Sequence, residues 1–386
     1  RLVVEGEIMS RYGDIKYGAT GFEGGGRKNL LINGDMSIAQ RGTSSTGVGG
    51  TDTYPTCDRW LYSPQASTEQ ARFTVTQDTA SIGASDLPFT EAGIKTALKL
   101  DVTTAESSVA AGEAVTVNQR IEGNNCSHID INNDPITVSF YAKSDTKTGT
   151  MCAALYASSG NLTHVKEYSI TTSWARYVLT FAPDSDGTVF ANDNSNELQV
   201  AFTLLSGTNL HITADAWAGS TGFKPGTSNQ INFADNTNNN FYLTGVQVEK
   251  GPTATAFERE DFNVKFERCK RYYYRHTCGS PYQRFAVGQA FTTDDAAFPM
   301  RFYPEMRGVP TFGTGTLSHL GVSHDDVDQT VTAIDSALTI DTNTDGTQGA
   351  TIKTPDINGD PMTANAMTFL MASNNANAFL EFDAEL

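Results

Sequence analysis

The chain has 386 residues, enough for two or three domains, and combines 39% hydrophobic with only 18% charged residues. Its 34 glycines, 21 phenylalanines and 14 tyrosines indicate a turn-rich β protein with enough apolar surface for packed cores, which excludes a disordered chain. The formal net charge of −17 argues against nucleic acid as a partner, because binding phosphates requires a basic stripe that this sequence lacks.

Residues 1–27 contain one short apolar stretch and end at three glycines, 24–26. A segment this short cannot bury a core of its own, so we expect an arm that docks on a partner, followed by a flexible joint. A disordered leader is the alternative. We expect neither a signal peptide nor a membrane span, because no apolar run approaches the roughly 18 residues that a span requires.

Residues 28–258 repeat short alternating segments separated by Asp, Asn, Gly and Ser clusters. This pattern predicts a jelly-roll β-sandwich of about nine or ten strands. The segment 29–42 is predicted to be the first strand and 241–251 the last. The other predicted strands cover 73–77, 96–102, 115–121, 136–142, 151–156, 175–181 and 198–204.

Residues 259–275 are predicted to form a connecting helix that begins after Asp261, a suitable N-cap. Its apolar residues are expected to pack against a neighbouring domain or subunit. They recur at helical spacing and are Phe262, Phe266, Cys269 and Tyr273. Its basic residues are expected to pair with acidic residues of neighbouring subunits or domains rather than with nucleic acid. These are Lys265, Arg268, Lys270, Arg271 and Arg275.

Residues 276–386 return to a β pattern, with predicted strands at 284–291, 297–302, 333–340 and 378–386. The predicted fold class is therefore all-β: a jelly-roll β-sandwich, a short helix and a second C-terminal β domain.

Several ordered motifs are similar to those of bacteriophage tail-fibre and receptor-binding proteins whose first domain resembles a carbohydrate-binding jelly roll. The motifs are 29–42, CDRW at 57–60, VNQRIEG at 117–123, ITVSFYAKS at 136–144, TSWARY at 172–177, 241–251, CKRYY at 269–273, 302–311 and DAEL at 383–386. The resemblance implies a homotrimeric virion protein, assembled in the host cytoplasm. It also implies attachment to other tail or head proteins through residues 1–27, and binding to a bacterial surface polysaccharide or outer-membrane receptor.

Trp217, Phe223 and Tyr54 are the candidate glycan-binding residues. Trp217 lies in a predicted loop of small residues, where an indole can stack on a sugar ring; packing of the loop is the alternative. Trp60 and Trp174 are expected to be core residues instead.

Five cysteines without a CxxC pair indicate free thiols and no structural zinc, although a disulfide between Cys269 and Cys278 is an alternative. We expect no cofactor and no metal. Asp35 is a candidate for the structural calcium of some carbohydrate-binding jelly rolls, but the residues that follow it are not acidic. The segments 341–346 and 356–360 are predicted to be turns rather than calcium loops.

We expect no catalysis, because the sequence lacks GxSxG, HExxH and Walker motifs and its His–carboxylate cluster at 324–326 lies in a predicted loop. The expected function is that of a non-enzymatic structural and adhesion component of a phage particle. One alternative is a purely structural head fibre or decoration protein. The other is a polysaccharide-degrading tailspike enzyme, which predicts a groove with two carboxylates.

Overall fold

The computed structural model describes residues 27–66, 69–184, 189–219, 221–323, 332–333, 338–341, 346–354 and 362–386. The helices in this part are short: α1 (Leu87–Ala92), α2 (Gly123–Cys126) and α3 (Phe262–Lys270), with 3₁₀ turns at Thr208–Leu210 and Leu317–His319. None of these described helices is long and apolar enough to cross a membrane. The predicted fold class is confirmed: a jelly-roll β-sandwich, a short helix and a second C-terminal β domain.

The β-sandwich consists of two six-stranded antiparallel sheets. Its strands are β1 (Ser44–Val48), β2 (Leu61–Pro64), β3 (Arg72–Asp78), β4 (Ala97–Thr104), β5 (Ala114–Glu122), β6 (Ile136–Ser144), β7 (Gly149–Ala157), β8 (Leu162–Ile170), β9 (Ala175–Phe181), β10 (Asn196–Ser206), β11 (Trp217–Gly219) and β12 (Asn240–Lys250). The strand orders are β1-β3-β4-β12-β6-β9 and β11-β8-β7-β10-β5-β2.

Alternate side chains of the two sheets meet in one apolar core, as the period of two along a strand requires. Phe140 packs edge-on against Phe202 with their ring centroids 4.8 Å apart. Trp60 is 1% exposed and belongs to this core, as predicted, whereas Trp174 is 7% exposed and is buried in a smaller separate cluster with Tyr141 and Tyr242. The strands predicted between 73 and 204 agree with the structure within two residues at each end.

The opening segment 29–42 is not a strand, which corrects the sequence prediction. Asn33 and Met36 have φ values of 58° and 59°, in the left-handed region that interrupts a β ladder. Side chains supply some of the backbone partners: Gln119 accepts from the Ile32 N–H at 2.8 Å and donates to the Ile32 carbonyl at 2.9 Å. The alternation of this segment therefore reflects burial against the sandwich rather than strand pairing.

Helix α3 is shorter than the predicted 259–275. The Asp261 carboxylate accepts from the Asn263 N–H at 2.9 Å, which confirms the predicted N-cap. The helix ends at Lys270, and the chain turns into a strand at Tyr273 that pairs with residues 379–383. Pairing with a distant strand outweighs the helical spacing of Tyr273 in the sequence.

The C-terminal β domain has two antiparallel sheets. Its strands are β13 (Tyr273–Thr277), β14 (Arg284–Ala290), β15 (Ala296–Arg301), β16 (Thr311–Thr314), β17 (Leu320–Ser323), β18 (Thr332–Ala333), β19 (Thr339–Ile340), β20 (Gly349–Thr354), β21 (Met367–Ala372) and β22 (Phe379–Asp383). The orders are β13-β22-β16 and β18-β17-β21-β14-β15-β20-β19. Of the predicted strand 333–340, the segment 334–337 lies outside the described residues.

The second domain has its own apolar core, separate from that of the sandwich. Phe302 and Phe382 are central to it, with ring centroids 4.8 Å apart. The three-stranded sheet lies between this core and the sandwich, so one of its faces is free to form a site at the domain junction.

Candidate functional site

A cleft of about 490 Å³, here called the interdomain cleft, opens between the sandwich and the three-stranded sheet. Its floor is one face of that sheet. On β22, Glu381 and Asp383 project to the cleft, whereas Phe382 between them projects to the domain core. Register pairs Asp383 with Tyr273 of β13, and Glu381 with Gly313 of β16, so these residues share the cleft face.

Gly313 leaves room for the carboxylate opposite it. A Cβ at this position would lie 2.8 Å from Glu381 Oε1, closer than side-chain atoms normally approach. Glu381 Oε2 accepts from the Tyr273 hydroxyl, which holds the carboxylate over the floor of the cleft. The small residue therefore sets both the depth of the cleft and the position of one acceptor.

Arg41 forms the wall on the sandwich side. Its guanidinium lies 3.6 Å from the centroid of the Tyr273 ring and 5.2 Å from that of Tyr54. Its Nη2 donates to Asp383 at 2.8 Å and its Nη1 donates to Glu385 at 3.3 Å. Burial alone would lower the pKa of Arg41, but the two carboxylates outweigh burial and raise it, so the guanidinium stays charged.

The rim of the cleft contains Asp52 and Tyr54. The Asp52 side chain is 48% exposed, and its carboxylate accepts from Ser63 Oγ at 2.7 Å and from Arg120 Nη2 at 3.3 Å. The Tyr54 hydroxyl donates to the backbone oxygen of Leu386 at 3.0 Å. Burial, with the nearby Glu385 carboxylate, raises the pKa of Tyr54, so this hydroxyl remains a neutral donor.

A buried ionic joint behind the cleft fixes its two walls. Arg59 pairs with Glu385, and its guanidinium lies 3.5 Å from the centroid of the Tyr272 ring. Arg59 Nη2 donates to the Arg120 carbonyl at 2.7 Å, and Arg120 Nη1 donates to the Leu386 backbone oxygen at 2.6 Å. The motifs CDRW, CKRYY and DAEL, distant in sequence, therefore meet at one place between the domains.

Trp217 and Phe223 do not belong to this cleft. Trp217 is half-buried on β11, where its Nε1 donates to the Ala182 carbonyl at 2.7 Å and its ring lies edge-on to His164 at 5.3 Å. It faces the sandwich core, whereas Phe223 packs on the outer face of the same sheet, 5.2 Å from the ring of Tyr156. The three candidate residues are thus not brought together; Tyr54 alone of them lines the interdomain cleft.

The apolar residues predicted on the connecting helix differ in their surroundings. Cys269 and Tyr273 are buried, and Cys269 packs with Ile32 of the sandwich domain. Phe266 is partly buried against the same cluster, whereas Phe262 is 57% exposed and stacks on the Phe266 ring at 6.1 Å.

Four of the five predicted basic residues pair with carboxylates, but only Lys265 and Arg271 pair with a neighbouring domain as expected. Two pairs cross to the sandwich and two are local: Lys265–Asp35 at 2.5 Å, Arg271–Glu122 at 2.9 Å, Arg268–Glu260 at 3.0 Å and Lys270–Glu267 at 2.6 Å. Arg275 differs, because its guanidinium lies 3.5 Å from the centroid of the Phe379 ring.

Asp35 is engaged by the Lys265 ammonium and by the Ser37 hydroxyl, which is an ion-pair environment rather than a calcium site. Among the residues that the structure describes, no three His, Cys, Asp or Glu side chains are grouped to hold a metal.

All five cysteines are buried and free. The segments 1–26, 324–326, 342–345 and 356–360 lie outside the described residues.

No protein-family model matches the chain, and no curated protein matches it in sequence. Three solved structures illustrate the alignments found in three dimensions. A family 11 carbohydrate-binding module from Clostridium thermocellum in complex with a mixed-linked tetrasaccharide is 8% identical, with a TM-score of 0.26 over 55% of this chain and 96% of that chain. TmCBM61 in complex with β-1,4-galactotriose is 10% identical, with a TM-score of 0.28 over 58% of this chain and 99% of that chain.

The enzymatically active domain of tailspike protein 4 from bacteriophage CBA120 is 15% identical, with a TM-score of 0.27 over 57% of this chain and 21% of that chain. All three TM-scores are below 0.5, so no function is transferred from these alignments. The geometry of the interdomain cleft is the basis for a functional conclusion.

Proposed function

We propose that the interdomain cleft binds a saccharide of a bacterial surface, and that the chain is a structural and adhesion component of a phage tail fibre. One observation carries the binding proposal: an aromatic side chain, Tyr54, and the outward-facing carboxylates Asp52 and Asp383 line the same cleft. Apolar rings that stack on a sugar, with a few placed acceptors for its hydroxyls, are the usual composition of such sites. The phage assignment is supported by the ordered sequence motifs.

The experiment is binding of the full chain to candidate host cells, with and without periodate oxidation of their surface sugars. We expect the wild type to bind untreated cells and to lose binding after periodate. We expect Asp52→Ala to weaken binding, because it removes a rim acceptor. The control is Asp101→Ala, which removes a 30% exposed aspartate whose ion pair with Lys99 lies elsewhere on the sandwich.

Absence of binding to any candidate host by a folded preparation would contradict the adhesion proposal. Binding to purified particles without binding to cells would then favour the alternative of a purely structural head fibre or decoration protein. Periodate-resistant binding would instead favour a protein receptor of the outer membrane.

A second candidate function, cleavage of surface polysaccharide, is favoured by the placement of Glu381 and Asp383. Two residues apart on one strand, they share a face with Cα atoms roughly 6.6 Å apart, and paired carboxylates are the catalytic groups of most glycosidases. Incubation of the chain with host polysaccharide, assayed for new reducing ends, separates the two functions. Product that disappears in Glu381→Gln and Asp383→Asn would establish the enzyme; binding without product supports adhesion alone.

The proposed assembly is a homotrimer attached to other virion proteins through residues 1–27. Exposed apolar side chains support further association: Phe262 is 57% and Val264 52% exposed on α3, and Val287 and Met367 are 53% and 63% exposed on the C-terminal domain. Three copies give avidity to individually weak sites. Sedimentation equilibrium tests the proposal, since a trimer is expected for the wild type and a monomer would contradict it.

A further inference from the structure

We propose that the interdomain cleft selects saccharides that are uncharged or carry an amine, and rejects saccharides that carry carboxylate, sulfate or phosphate groups. This inference rests on the proposed saccharide-binding function and specifies the chemical class of the ligand.

The charged donors at the cleft are already used within the protein. Arg41 is the one cation among the lining residues, and its two terminal nitrogens donate to Asp383 and Glu385 while its plane covers the Tyr273 ring. Its side chain is only 13% exposed, so it presents little of its charge to a ligand. Arg120, beside the rim, is likewise engaged by the Leu386 backbone oxygen and by Asp52.

The acceptors, by contrast, face the opening. The side chains of Asp52 and Asp383 are 48% and 39% exposed, so their carboxylates retain lone pairs directed to solvent. One carboxylate oxygen of Glu381 accepts a hydrogen bond from the Tyr273 hydroxyl, and the other lies beside Gly313 at the cleft floor. Each carboxylate can accept from a hydroxyl or an ammonium group of a ligand.

The negative charge of the cleft lining distinguishes anionic saccharides from neutral and amine-bearing ones. With three carboxylates against one paired guanidinium, the lining is negative, and the chain as a whole carries a formal charge of −17. An anionic group entering the cleft would meet these carboxylates with no unpaired cation beside it among the described lining residues, and repulsion increases as water is excluded. A neutral sugar supplies only hydroxyl donors, and an amino sugar adds an attractive charge.

The test is a printed array of neutral, amine-bearing, carboxylated, sulfated and phosphorylated saccharides, probed with the full chain and with Asp52→Lys. We expect hits among the neutral and amine-bearing saccharides only. Asp52→Lys should weaken amine-bearing hits roughly threefold or more, because an exposed attraction becomes a repulsion. The control Asp101→Lys, which makes the same charge change away from the cleft, should leave the array pattern unchanged, and thermal melting should show that both variants are folded.

Different results would overturn the proposed selectivity and saccharide binding itself. Hits among acidic saccharides that compete with neutral ones and weaken in Gly313→Ala would overturn this inference and leave saccharide binding intact. Amine-bearing hits that Asp52→Lys does not change would also overturn it. Absence of every hit, with the folded chain at high concentration, would overturn saccharide binding itself and the inference with it.

Discussion

Arg59 and Glu385 form an ion pair between the two domains, and their side chains are only 1% and 4% exposed. They are 326 positions apart in sequence. A buried ion pair persists only if each charge keeps its partner, since an isolated charge would be expensive to desolvate. This pair therefore couples the orientation of the sandwich to that of the three-stranded sheet, and it maintains the walls of the interdomain cleft.

Replacing Glu385 with alanine should destabilise the protein by about 3 to 5 kcal/mol, because the Arg59 guanidinium is left buried without its partner. The free energy of unfolding, from guanidinium titration followed by tryptophan fluorescence, measures this loss. Limited proteolysis of the variant should also show faster cleavage near the domain junction, since the joint that holds 383–386 is weakened.

The control for this loss is Glu267→Ala, which removes a helix ion pair whose glutamate is 50% exposed. It should cost less than about 1 kcal/mol, as expected for an exposed pair. Equal losses for Glu385→Ala and Glu267→Ala would mean that the interdomain pair contributes no more than a surface pair.

Replacing Gly313 with alanine should impair ligand binding more than stability. The added methyl group would displace Glu381 from its position at the cleft floor, because the Cβ would lie 2.8 Å from its Oε1. We expect binding to host cells to weaken severalfold, with a stability change below about 1 kcal/mol. The matched control is Gly308→Ala, where nothing lies within 4 Å of an added Cβ. Equal binding by both variants would argue that the ligand lies elsewhere.

Asp58 should make the protein less stable as pH rises toward neutrality. Burial raises its pKa to about 6, although hydrogen bonds from Gln40 oppose the shift. Because the folded pKa exceeds the ordinary value, the contribution of Asp58 is fully present below about pH 4 and is lost as pH rises through 6. Asp58→Asn should therefore gain stability relative to the wild type between pH 4 and 7, measured as the difference in urea unfolding free energy. A difference that stays constant with pH would contradict the prediction.

His164 should act in the opposite direction. Burial lowers its pKa to about 4, helped by the nearby Lys166 ammonium and opposed by the Asp215 carboxylate. The folded protein then holds the ring neutral at pH values where the unfolded chain is protonated, so stability falls as pH drops from about 6.5 toward 4. Replacing His164 with phenylalanine should remove this acid sensitivity. The same denaturation measured at pH 4.5 and 7.5 tests it, and an unchanged pH dependence in the variant would refute it.

The strands of the sandwich could be predicted where burial of one face makes apolar and polar residues alternate, as in 73–77 and 96–102. The sequence does not predict strand β8, because Thr163, His164 and Glu167 interrupt its apolar pattern. The strand nevertheless pairs on both sides, with β11 and β7. The segment 29–42 alternates for a different reason. It is buried without forming a β ladder, because its left-handed residues interrupt the extended backbone and side chains such as Gln119 accept its hydrogen bonds. Apolar periodicity in the sequence indicates which residues are buried. It does not show whether the backbone N–H and C=O groups are hydrogen-bonded by a neighbouring strand or by side chains.

The interdomain cleft was only partly accessible from sequence. Tyr54 was a candidate, and the predicted strand 378–386 already placed Glu381 and Asp383 on one face. The contact of Asp383 with Arg41, 342 positions away in sequence, depends on how the two domains meet, and no local pattern encodes that. Loop position made Trp217 the stronger candidate, but pairing of β11 with β8 turns its ring toward the core.

Hydrogen–deuterium exchange of the full chain, with and without purified surface polysaccharide from a host to which it binds, shows directly whether the saccharide occupies the interdomain cleft. We expect added protection at residues 52–54, 311–314 and 379–383, which border the interdomain cleft. Protection confined to β7, β8 and the segment around Phe223, on the outer face of the sandwich, would contradict it and place the saccharide there instead.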